Sequence, residues 1–160
     1  MKGNDKLLKV LDALLADELT AIVQYIVHAE MCENWGYKRL GKKVQARAID
    51  EMKHAEKLIA RIIFLEGAPT VSQLNPVHIG ADVPRQLGDD LASENGAVRA
   101  YNAAVHLANE VSDAATRTLL EAILRDEDAH VDWLEAQADQ IKQMGVEQYL
   151  ATQTGEQLTG

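Results

Sequence analysis

The sequence predicts an all-α protein, a bundle of long helices, on three observations. Its 160 residues include only 3 Pro and 1 Phe and are rich in Ala, Leu, Glu, Gln and Lys, a composition that favours helices over strands. Apolar residues recur at spacings of three and four along four long stretches. The length is that of one domain, so residues 1–160 are expected to form a single domain with its own core.

The periodic stretches and their flanking residues set the expected helix boundaries. We expect four long helices and a short fifth one, over about 5–34, 38–65, 83–110, 113–144 and 146–156. Residues that often cap a helix N-terminus precede three of them: Asn4 or Asp5, Asp82 (with Pro84 in the first turn), and Ser112 or Asp113. Glycines that often end a helix follow three of them: Gly36, Gly67 and Gly145.

The lengths of the connections predict the topology of the bundle. The first two helices are joined by a short link, and so are the third and fourth, so each pair should form an antiparallel hairpin. Residues 66–82 are the one long connection. A four-helix bundle with one long crossover is the ferritin-like variant of this fold.

Charge and composition exclude several classes of function. The 16 basic and 25 acidic residues give a net charge of −9 without a basic run, so nucleic acids and anionic membranes are poor partners and cations are better ones. The single cysteine, Cys32, fits a reducing compartment. The N-terminal stretch reads as a helix and not as a signal peptide, and no apolar run is long enough to span a membrane. We therefore expect a soluble, cytoplasmic protein.

Polar residues interrupt each of the four apolar stripes at positions where the helical period demands an apolar side chain. Residues three apart share one face of a helix, so both Glu-x-x-His pairs should project into the bundle together with two further glutamates. These six residues are Glu18, Glu51, His54, Glu94, Glu127 and His130.

The polar residues repeat at one fixed distance along the chain. Glu51 and Glu127 lie 76 residues apart, as do the two histidines, the pair Glu18 and Glu94, and the pair Tyr25 and Tyr101. The motif Asp-Glu-x-x-His-x-x-x-Leu occurs at residues 50–58 and again at 126–134. The chain therefore contains two similar helical hairpins in succession, and the two motifs are interpreted as halves of one site.

A pair of divalent cations explains why this set of residues faces the core. Four ionised carboxylates in a dry bundle would be prohibitively costly unless they are protonated or neutralised. Two divalent cations supply the matching charge, and two neutral imidazoles complete the coordination. A set with more oxygen than nitrogen and no thiolate suits iron or manganese better than structural zinc. A lone Glu-x-x-His pair is common on helix surfaces, but two pairs with two further core glutamates predict a dimetal site.

Neighbouring residues are candidates for supporting roles. Metal-bound histidines usually donate their second ring N–H to an acceptor, so we hypothesise that Asp126 holds His54 and Asp50 holds His130. The alternative is that both aspartates are solvated surface acids. Tyr25, and with it Tyr101, is either a hydrogen-bond donor to the ligands or an ordinary core residue. The three remaining histidines are expected to be surface or packing residues: His28, His78 and His106.

The sequence resembles the bacterioferritins over about residues 1–150. The resemblance rests on the opening MKG and on five further stretches: ADELTAIVQY, NWGYKRL, DEMKHAEKLIARIIFLEG, LRDEDAHVDWLE and QMGVEQYL, with the two Asp-Glu-x-x-His motifs among them. It implies iron storage and detoxification in the cytoplasm by a hollow shell of twenty-four identical subunits. It also implies a ferroxidase that uses O2 or H2O2 at a di-iron centre within each subunit and stores a ferric mineral inside the shell.

The resemblance also implies roles for individual residues. Glu18 and Glu94 would be terminal carboxylates, Glu51 and Glu127 would bridge the two irons, and His54 and His130 would each bind one iron. The oxidised iron would then either move to the central cavity or stay in place as a cofactor that passes on electrons from incoming iron.

Met52 carries a second feature of the family. In bacterioferritins this methionine, contributed by two subunits at a two-fold axis, binds both faces of one haem b, so the shell would be built from haem-bridged dimers. The haem would aid electron delivery for iron release, with a ferredoxin-type protein as the candidate donor. The resemblance breaks at Ala46, where many members have a histidine on the cavity-facing surface, and this puts an inner iron site in doubt.

Three other functions are alternatives to iron storage. A di-iron peroxidase or oxidase of the rubrerythrin type shares the ligands but usually carries a cysteine-rich part, and this chain has one cysteine. A DNA-protecting mini-ferritin would have basic tails and a site between subunits. A haem-binding electron-transfer bundle, or a purely structural one, would leave the six polar core residues unexplained.

Overall fold

The computed structural model describes residues 1–155, which form five helices. They are α1 (Asp5–Asn34), α2 (Lys38–Phe64), α3 (Val83–Glu110), α4 (Ala114–Met144) and α5 (Val146–Ala151). Helix α1 packs against α2 and α3, α3 packs against α4, and α4 also contacts α2 and α5. The long connection joins α2 to α3, so the predicted all-α class and the ferritin-like arrangement are confirmed. Within the described range, no helix has the length and apolar run needed to cross a membrane.

The short helix α5 ends earlier than the boundary expected near residue 156, which itself lies outside the described residues. After Ala151 the backbone bonds tighten to a spacing of three residues, with Thr152 N donating to Tyr149 O and Gln153 N donating to Leu150 O. Tyr149 is fully buried, and its hydroxyl donates to Gln137 Oε1 at 2.8 Å. This contact fixes α5 against the end of α4.

Side-chain caps fix where three of the long helices begin. The acceptors are Asn4, Asp82 and Asp113, which receive the backbone N–H groups of Leu7, Arg85 and Thr116 at 3.1, 2.9 and 3.0 Å. These bonds satisfy N–H groups that have no partner inside the helix. Between the alternatives left open by the sequence, Asn4 and Asp113 are the caps, while Asp5 is the first residue of α1 and Ser112 precedes the cap.

The crossover runs along α1 and is held there by side chains. Four of its backbone N–H groups donate to acceptors spaced four or eight residues apart on α1, which therefore share one face of that helix. The pairs are Thr70 N to Asp12 Oδ1, Asn75 N to Thr20 Oγ1, His78 N to Gln24 Oε1 and Gly80 N to His28 Nε2, at 2.7 to 3.1 Å. Four backbone N–H groups of the long connection are thus satisfied by the helix it crosses.

Gly80 sits where the crossover backbone comes closest to α3. A Cβ atom built on it would lie 2.4 Å from Gln86 N, which leaves no room for any side chain. The close approach lets Gly80 donate to His28 and accept a 3.2 Å hydrogen bond from Gln86 Nε2. A glycine is therefore required at this point.

The interior is divided into two apolar clusters with a polar layer between them. One cluster occupies the end of the bundle near the start of α1 and includes Leu11, Leu58 and Leu120. The other occupies the opposite end and includes Leu40 and Leu134. Along every long helix, the polar residues that interrupt the apolar stripe fall between members of these two clusters. Apolar packing at both ends therefore fixes the height of the polar layer in the bundle.

The cap at the start of α4 gives a first prediction. Asp113 Oδ2 accepts from Thr116 Oγ1 at 2.6 Å, and Asp113 Oδ1 lies 3.0 Å from Arg61 Nη2. We expect Asp113→Ala to lower the free energy of unfolding by about 1–2 kcal/mol at pH 7, measured by chemical denaturation. Asp113→Asn should cost less because the amide oxygen still caps the helix.

The loss of stability caused by Asp113→Ala should depend on pH. Although burial opposes ionisation, the hydrogen bonds from Thr116 and the charge of Arg61 lower the pKa of Asp113. A lowered folded-state pKa stabilises the protein above the unfolded-state value of about 4, and the benefit is lost as the pH falls through the folded-state pKa. The cost of Asp113→Ala should shrink at acidic pH. The exposed Asp128 serves as the control for loss of an acid from α4, and an equal cost for Asp128→Ala would contradict the assignment.

Candidate metal centre

The six polar residues predicted from the repeat meet in the middle of the bundle. All six are buried, with exposed fractions between 0% and 8%. They form two overlapping groups, each with one ligand atom per residue and all atoms within 4.8 Å of one another: Glu18, Glu51, His54 and Glu127 in one, and Glu51, Glu94, Glu127 and His130 in the other. Glu51 and Glu127 belong to both groups, so two positions for cations lie side by side and share two carboxylates.

Helix geometry explains how each side chain reaches the centre. Helices α1 and α3 contribute one glutamate each, Glu18 and Glu94. Helices α2 and α4 contribute a glutamate and a histidine three residues later, and this spacing places both on one face. The apolar residues one turn before and after each of them pack into the two clusters, so the polar side chains have no other direction open to them.

The histidine Nδ1 atoms point into the cluster. His54 Nδ1 lies 2.8 Å from Glu127 Oε1 and 3.6 Å from both Glu18 Oε1 and Glu51 Oε2. His130 Nδ1 lies 3.1 Å from Glu51 Oε1 and 3.4 Å from Glu94 Oε1. Their rings face each other at a centroid distance of 6.3 Å. Each imidazole therefore presents one nitrogen to its own group of carboxylates.

The second nitrogen of each imidazole faces an aspartate from the other hairpin. His54 Nε2 lies 3.0 Å from Asp126 Oδ2, and His130 Nε2 lies 3.4 Å from Asp50 Oδ2. These are the cross-pairs hypothesised from the sequence. An aspartate at Nε2 favours the tautomer with its proton on that nitrogen, which leaves Nδ1 free to bind a cation.

Two buried tyrosines, Tyr25 and Tyr101, donate hydrogen bonds to the glutamates of α3 and α1. The hydroxyl of Tyr25 donates to Glu94 Oε1 at 2.6 Å, and that of Tyr101 donates to Glu18 Oε1. Both pairs connect α1 with α3. Burial first, and the nearby carboxylates in addition, raise the pKa of each phenol well above its ordinary value. Both hydroxyls therefore stay protonated and act as donors.

Many polar atoms of the cluster lack a hydrogen-bond partner among the described residues. Both oxygens of Glu127 and one oxygen each of Glu18, Glu51 and Glu94 are buried without a partner, as are the Nδ1 atoms of both histidines. Buried polar groups in folded proteins are nearly always paired, since an orphan costs about 1–3 kcal/mol. Seven orphans that converge on one point fit cations as the missing partners.

Burial and mutual repulsion shift the acidity of these groups. Burial, followed by the proximity of Glu51, raises the pKa of Glu18, and burial together with Glu94 raises the pKa of Glu127. Burial opposes the charged form of Glu51 as well, but the proximity of Glu18 and of the two histidines outweighs it and lowers the pKa of Glu51. The cluster without metal thus shares protons among its carboxylates.

The pKa values of the two imidazoles are raised, whereas burial alone would lower them. Burial disfavours the imidazolium, but the nearby carboxylates of Glu127, Glu18 and Glu51 raise the pKa of His54 far above its ordinary value. Contacts with Glu51 and Glu94 raise the pKa of His130 to about 9, against both burial and the charge of Arg47. Protons on these histidines replace part of the missing positive charge.

A cavity of about 440 Å³ connects the cluster with the protein surface. Four of the cluster glutamates form part of its lining: Glu18, Glu51, Glu94 and Glu127. Its outer part is lined by Asp17 and Asp89 and by Asn75 and His78 of the crossover. Acids from all four long helices therefore contribute to the lining of the route from solvent to the cluster.

Met52 lies outside the cluster, although it follows Glu51 directly. Glu51 is 1% exposed and Met52 is 45% exposed, as expected for adjacent residues about 100° apart on a helix. Three other apolar side chains on α1 and α2 are exposed to a similar degree: Val23, Ile26 and Ile49. The thioether of Met52 is thus accessible at the surface of the described chain.

Some polar residues near the site were not identified from the sequence. His28 is fully buried, and its Nδ1 lies 2.9 Å from Asp90 Oδ1, which also accepts from Gln24 Nε2. His78 and His106 are exposed, as expected. Asp90, the acid that pairs with His28, lies on another helix and at a spacing that is not typical of metal ligands, so no sequence pattern indicated the pair. Arg47, buried beside His130, was also missed because a lone arginine on α2 reads as a surface residue.

The fold and the buried cluster define a protein of the ferritin-like class, and a family model described as Ferritin-like domain matches residues 8–144. The chain is 42% identical over 145 residues to a bacterioferritin of Rhodobacter capsulatus, covering 91% of this chain and 90% of the relative. It is 39% identical over 149 residues to one of Brucella melitensis (93% and 92%) and 38% identical over 151 residues to one of Mycobacterium avium (94% and 95%). The chain belongs to the bacterioferritin family, and this membership supports a role in iron storage.

The raised pKa values predict how the stability of the metal-free protein changes with pH. His130 has a folded-state pKa of about 9, above the unfolded value of about 6.5, so its contribution is complete below pH 6.5 and lost as the pH rises to 9. The raised pKa values of Glu18 and Glu127 act in the same direction from about pH 4 upwards. We expect the free energy of unfolding, measured by chemical denaturation with a chelator present, to fall between pH 6 and 9.

A matched pair of variants tests the source of this slope. His130→Gln should flatten it, whereas His106→Gln, at a side chain that is 75% exposed, should leave it unchanged. Bound divalent cations should reverse the trend because they bind the deprotonated ligands. A metal-free protein whose stability is constant or rises over this range would contradict the proposed proton sharing.

Proposed function

We propose that this chain is an iron-storage ferroxidase, which binds two Fe(II) ions as substrate at the buried cluster and oxidises them to Fe(III). The observation that carries the proposal is the pair of overlapping four-residue groups with seven unpaired ligand atoms. Four carboxylates match the charge of two divalent cations, and the donor set of oxygen and imidazole suits Fe(II). Membership in the bacterioferritin family supports iron as the metal.

The geometry suggests a role for each ligand. Glu51 and Glu127, which belong to both groups, would bridge the two ions, and Glu18 and Glu94 would each bind one. His54 and His130 would each bind one ion through Nδ1, held in that orientation by Asp126 and Asp50. Tyr101 and Tyr25 would hold the terminal glutamates through their hydroxyl groups.

The reaction balances with dioxygen or hydrogen peroxide as the oxidant. Two Fe(II) ions give up one electron each, and O2 takes up these two electrons with two protons to leave as H2O2; with H2O2 as the oxidant, two protons and two electrons give two molecules of water. Loss of the protons from the cluster prepares the site, since Glu18 and Glu127 must ionise and both histidines must be neutral before Fe(II) binds. The two Fe(III) ions then carry two positive charges more than the four carboxylates neutralise.

The acid-lined cavity is the proposed path of Fe(II) to the cluster. Its negative charge raises the local concentration of cations, and the net charge of −9 acts in the same sense. After oxidation, iron would be transferred to a ferric mineral inside a shell of twenty-four subunits, or remain at the site as a cofactor that relays electrons. Sedimentation of the purified protein as a particle of about twenty-four chains of 17.6 kDa would support the shell.

The ferroxidase proposal predicts the effect of removing one bridging charge. Glu51→Gln should lower the initial rate of Fe(II) oxidation at least about 100-fold, because a shared carboxylate holds both ions, and a barrier change of about 2.7 kcal/mol accounts for that factor. The rate is followed by the absorbance of the ferric product after anaerobic Fe(II) loading and exposure to air. Glu110→Gln, at an exposed glutamate of α3, is the control and should oxidise iron like the parent protein. Equal rates in both variants would refute the assignment.

We also propose that Met52 binds haem b together with the Met52 of a second copy of the chain. A thioether is a known axial ligand of haem iron, and the exposed Ile49, three residues before Met52 on α2, shares its face and would add an apolar contact to the porphyrin. When bound, the haem would supply an electron-transfer group for the release of stored iron, with a ferredoxin-type protein as the donor. The protein's part is to hold the group between two chains and to exclude water from it.

A matched methionine pair tests the haem proposal. Met52→Leu keeps the apolar volume and should abolish the absorption bands of bis-methionine haem in the purified protein while leaving Fe(II) oxidation intact. Met144→Leu is the control, since Met144 is 42% exposed but lies at the end of α4. Haem content that is unchanged by Met52→Leu, or lost equally in both variants, would contradict the proposal.

A further inference from the structure

A second cavity, of about 310 Å³, lies beside the cluster and shares no lining residue with the access route. His130 is the residue of the metal centre that lines it. The rest of its lining combines basic, acidic and apolar side chains: Lys43, Ala46, Arg47, Asp50, Asp126, Ala129 and Trp133. The space exceeds that of several water molecules, each of which occupies about 30 Å³.

Arg47 is the unusual residue in this cavity. Its side chain is buried, with an overall exposure of 5%, and its guanidinium carbon lies 4.8 Å from the centre of the Trp133 ring. Among the described residues, Nη1 has no hydrogen-bond partner, and no carboxylate lies within the 4.0 Å of an ion pair. By contrast, Arg61 and Arg117 are each paired with a carboxylate. A buried guanidinium needs an acceptor, because its five N–H donors cannot be neutralised by loss of a proton.

The neighbouring acids do not satisfy Arg47 because they face the histidines. Asp50 is directed at His130 Nε2 and Asp126 at His54 Nε2. Both aspartates are about half exposed, so each keeps an oxygen accessible from the cavity. Lys43 adds a second cation, with its ammonium 5.8 Å from the centre of the same Trp133 ring. The cavity thus holds two cationic donors that have no carboxylate partner within residues 1–155, beside two carboxylates that can still accept a hydrogen bond.

We propose that this cavity binds a protonated tetrahedral oxyanion, of the chemical type of hydrogen phosphate. Arg47 and Lys43 donate to its oxygens, and Asp50 or Asp126 accepts from its P–OH group. A guanidinium suits this ligand because its N–H groups match two oxygens of one tetrahedral anion. The carboxylates select against sulfate, which carries no proton at neutral pH and would meet them without a hydrogen bond.

The location gives the bound anion a function. His130 separates the cavity from the cluster, so an oxyanion in this place offers oxygen ligands to ferric ions that leave the cluster on this side. That consequence rests on the proposed ferroxidase function, whereas binding of the anion itself does not. Ala46 lines the same cavity, and its small side chain leaves the space in front of Arg47 open.

The test is a calorimetric titration of the metal-free full chain with inorganic phosphate in the presence of a chelator. We expect saturable binding of one phosphate per chain, weakened at least about tenfold by Arg47→Gln, as for loss of one charge-assisted hydrogen bond. Sulfate should bind at least about tenfold more weakly than phosphate for the same reason. Arg99→Gln, at an exposed arginine of α3, is the control for loss of one positive charge.

A second variant protects the test against misfolding. If Arg47→Gln does not fold, as judged by its circular dichroism spectrum, Lys43→Gln at an exposed lysine replaces it as the test variant. Lys43→Gln should weaken phosphate binding measurably. The proposal is overturned if the parent chain shows no saturable phosphate binding, or binds sulfate as tightly as phosphate. It is also overturned if the test variant binds phosphate with the same affinity as Arg99→Gln. None of these results depends on whether the cluster oxidises iron, which the absorbance assay measures separately.

Discussion

Four carboxylates enclosed in the middle of a helical bundle impose the condition on which the rest of this structure depends. Glu18, Glu51, Glu94 and Glu127 lie within reach of one another and are almost completely removed from solvent. Repulsion and desolvation would drive such groups apart or keep them protonated. Two apolar clusters, one at each end of the bundle, hold the helices together across this layer and keep the glutamates from swinging away. When cations bind, the same arrangement of carboxylates stabilises the fold instead of destabilising it. This behaviour is expected of a metal-binding site and not of a structural core.

The duplicated hairpin explains how one subunit builds a two-ion site from few residue types. The supporting contacts have counterparts in the two halves: Tyr25 of α1 reaches Glu94 of α3 and Tyr101 of α3 reaches Glu18 of α1, while each histidine faces the aspartate of the opposite motif. The two halves differ in their surroundings. The Asp126–His54 contact is 3.0 Å and the Asp50–His130 contact is 3.4 Å, and His130 alone borders the cavity that holds Arg47. This asymmetry gives the two ion positions different neighbours despite identical ligand types.

The fold and the cluster were accessible from the sequence because both depend on local, periodic signals. Capping residues such as Asn4 and Asp82 marked helix ends, and the repeat of Glu-x-x-His at 76 residues marked the inward faces. The path of the crossover was not accessible. Its N–H groups are bound by Asp12, Thr20, Gln24 and His28, which read as ordinary polar residues until the chain folds back on α1. Likewise, nothing near Arg47 in the sequence indicates that its side chain is buried with one nitrogen unpaired among the described residues. Contacts of this kind follow from tertiary packing and leave no spacing to detect.

The most direct test of the account is anomalous X-ray scattering from crystals of the protein soaked anaerobically in Fe(II). The account predicts two iron peaks per chain inside the bundle, one about 2.0–2.2 Å from Nδ1 of His54 and the other at the same distance from Nδ1 of His130, with Glu51 and Glu127 between them. A single peak, or iron bound only at surface acids while the interior cluster remains hydrogen-bonded to itself, would contradict it.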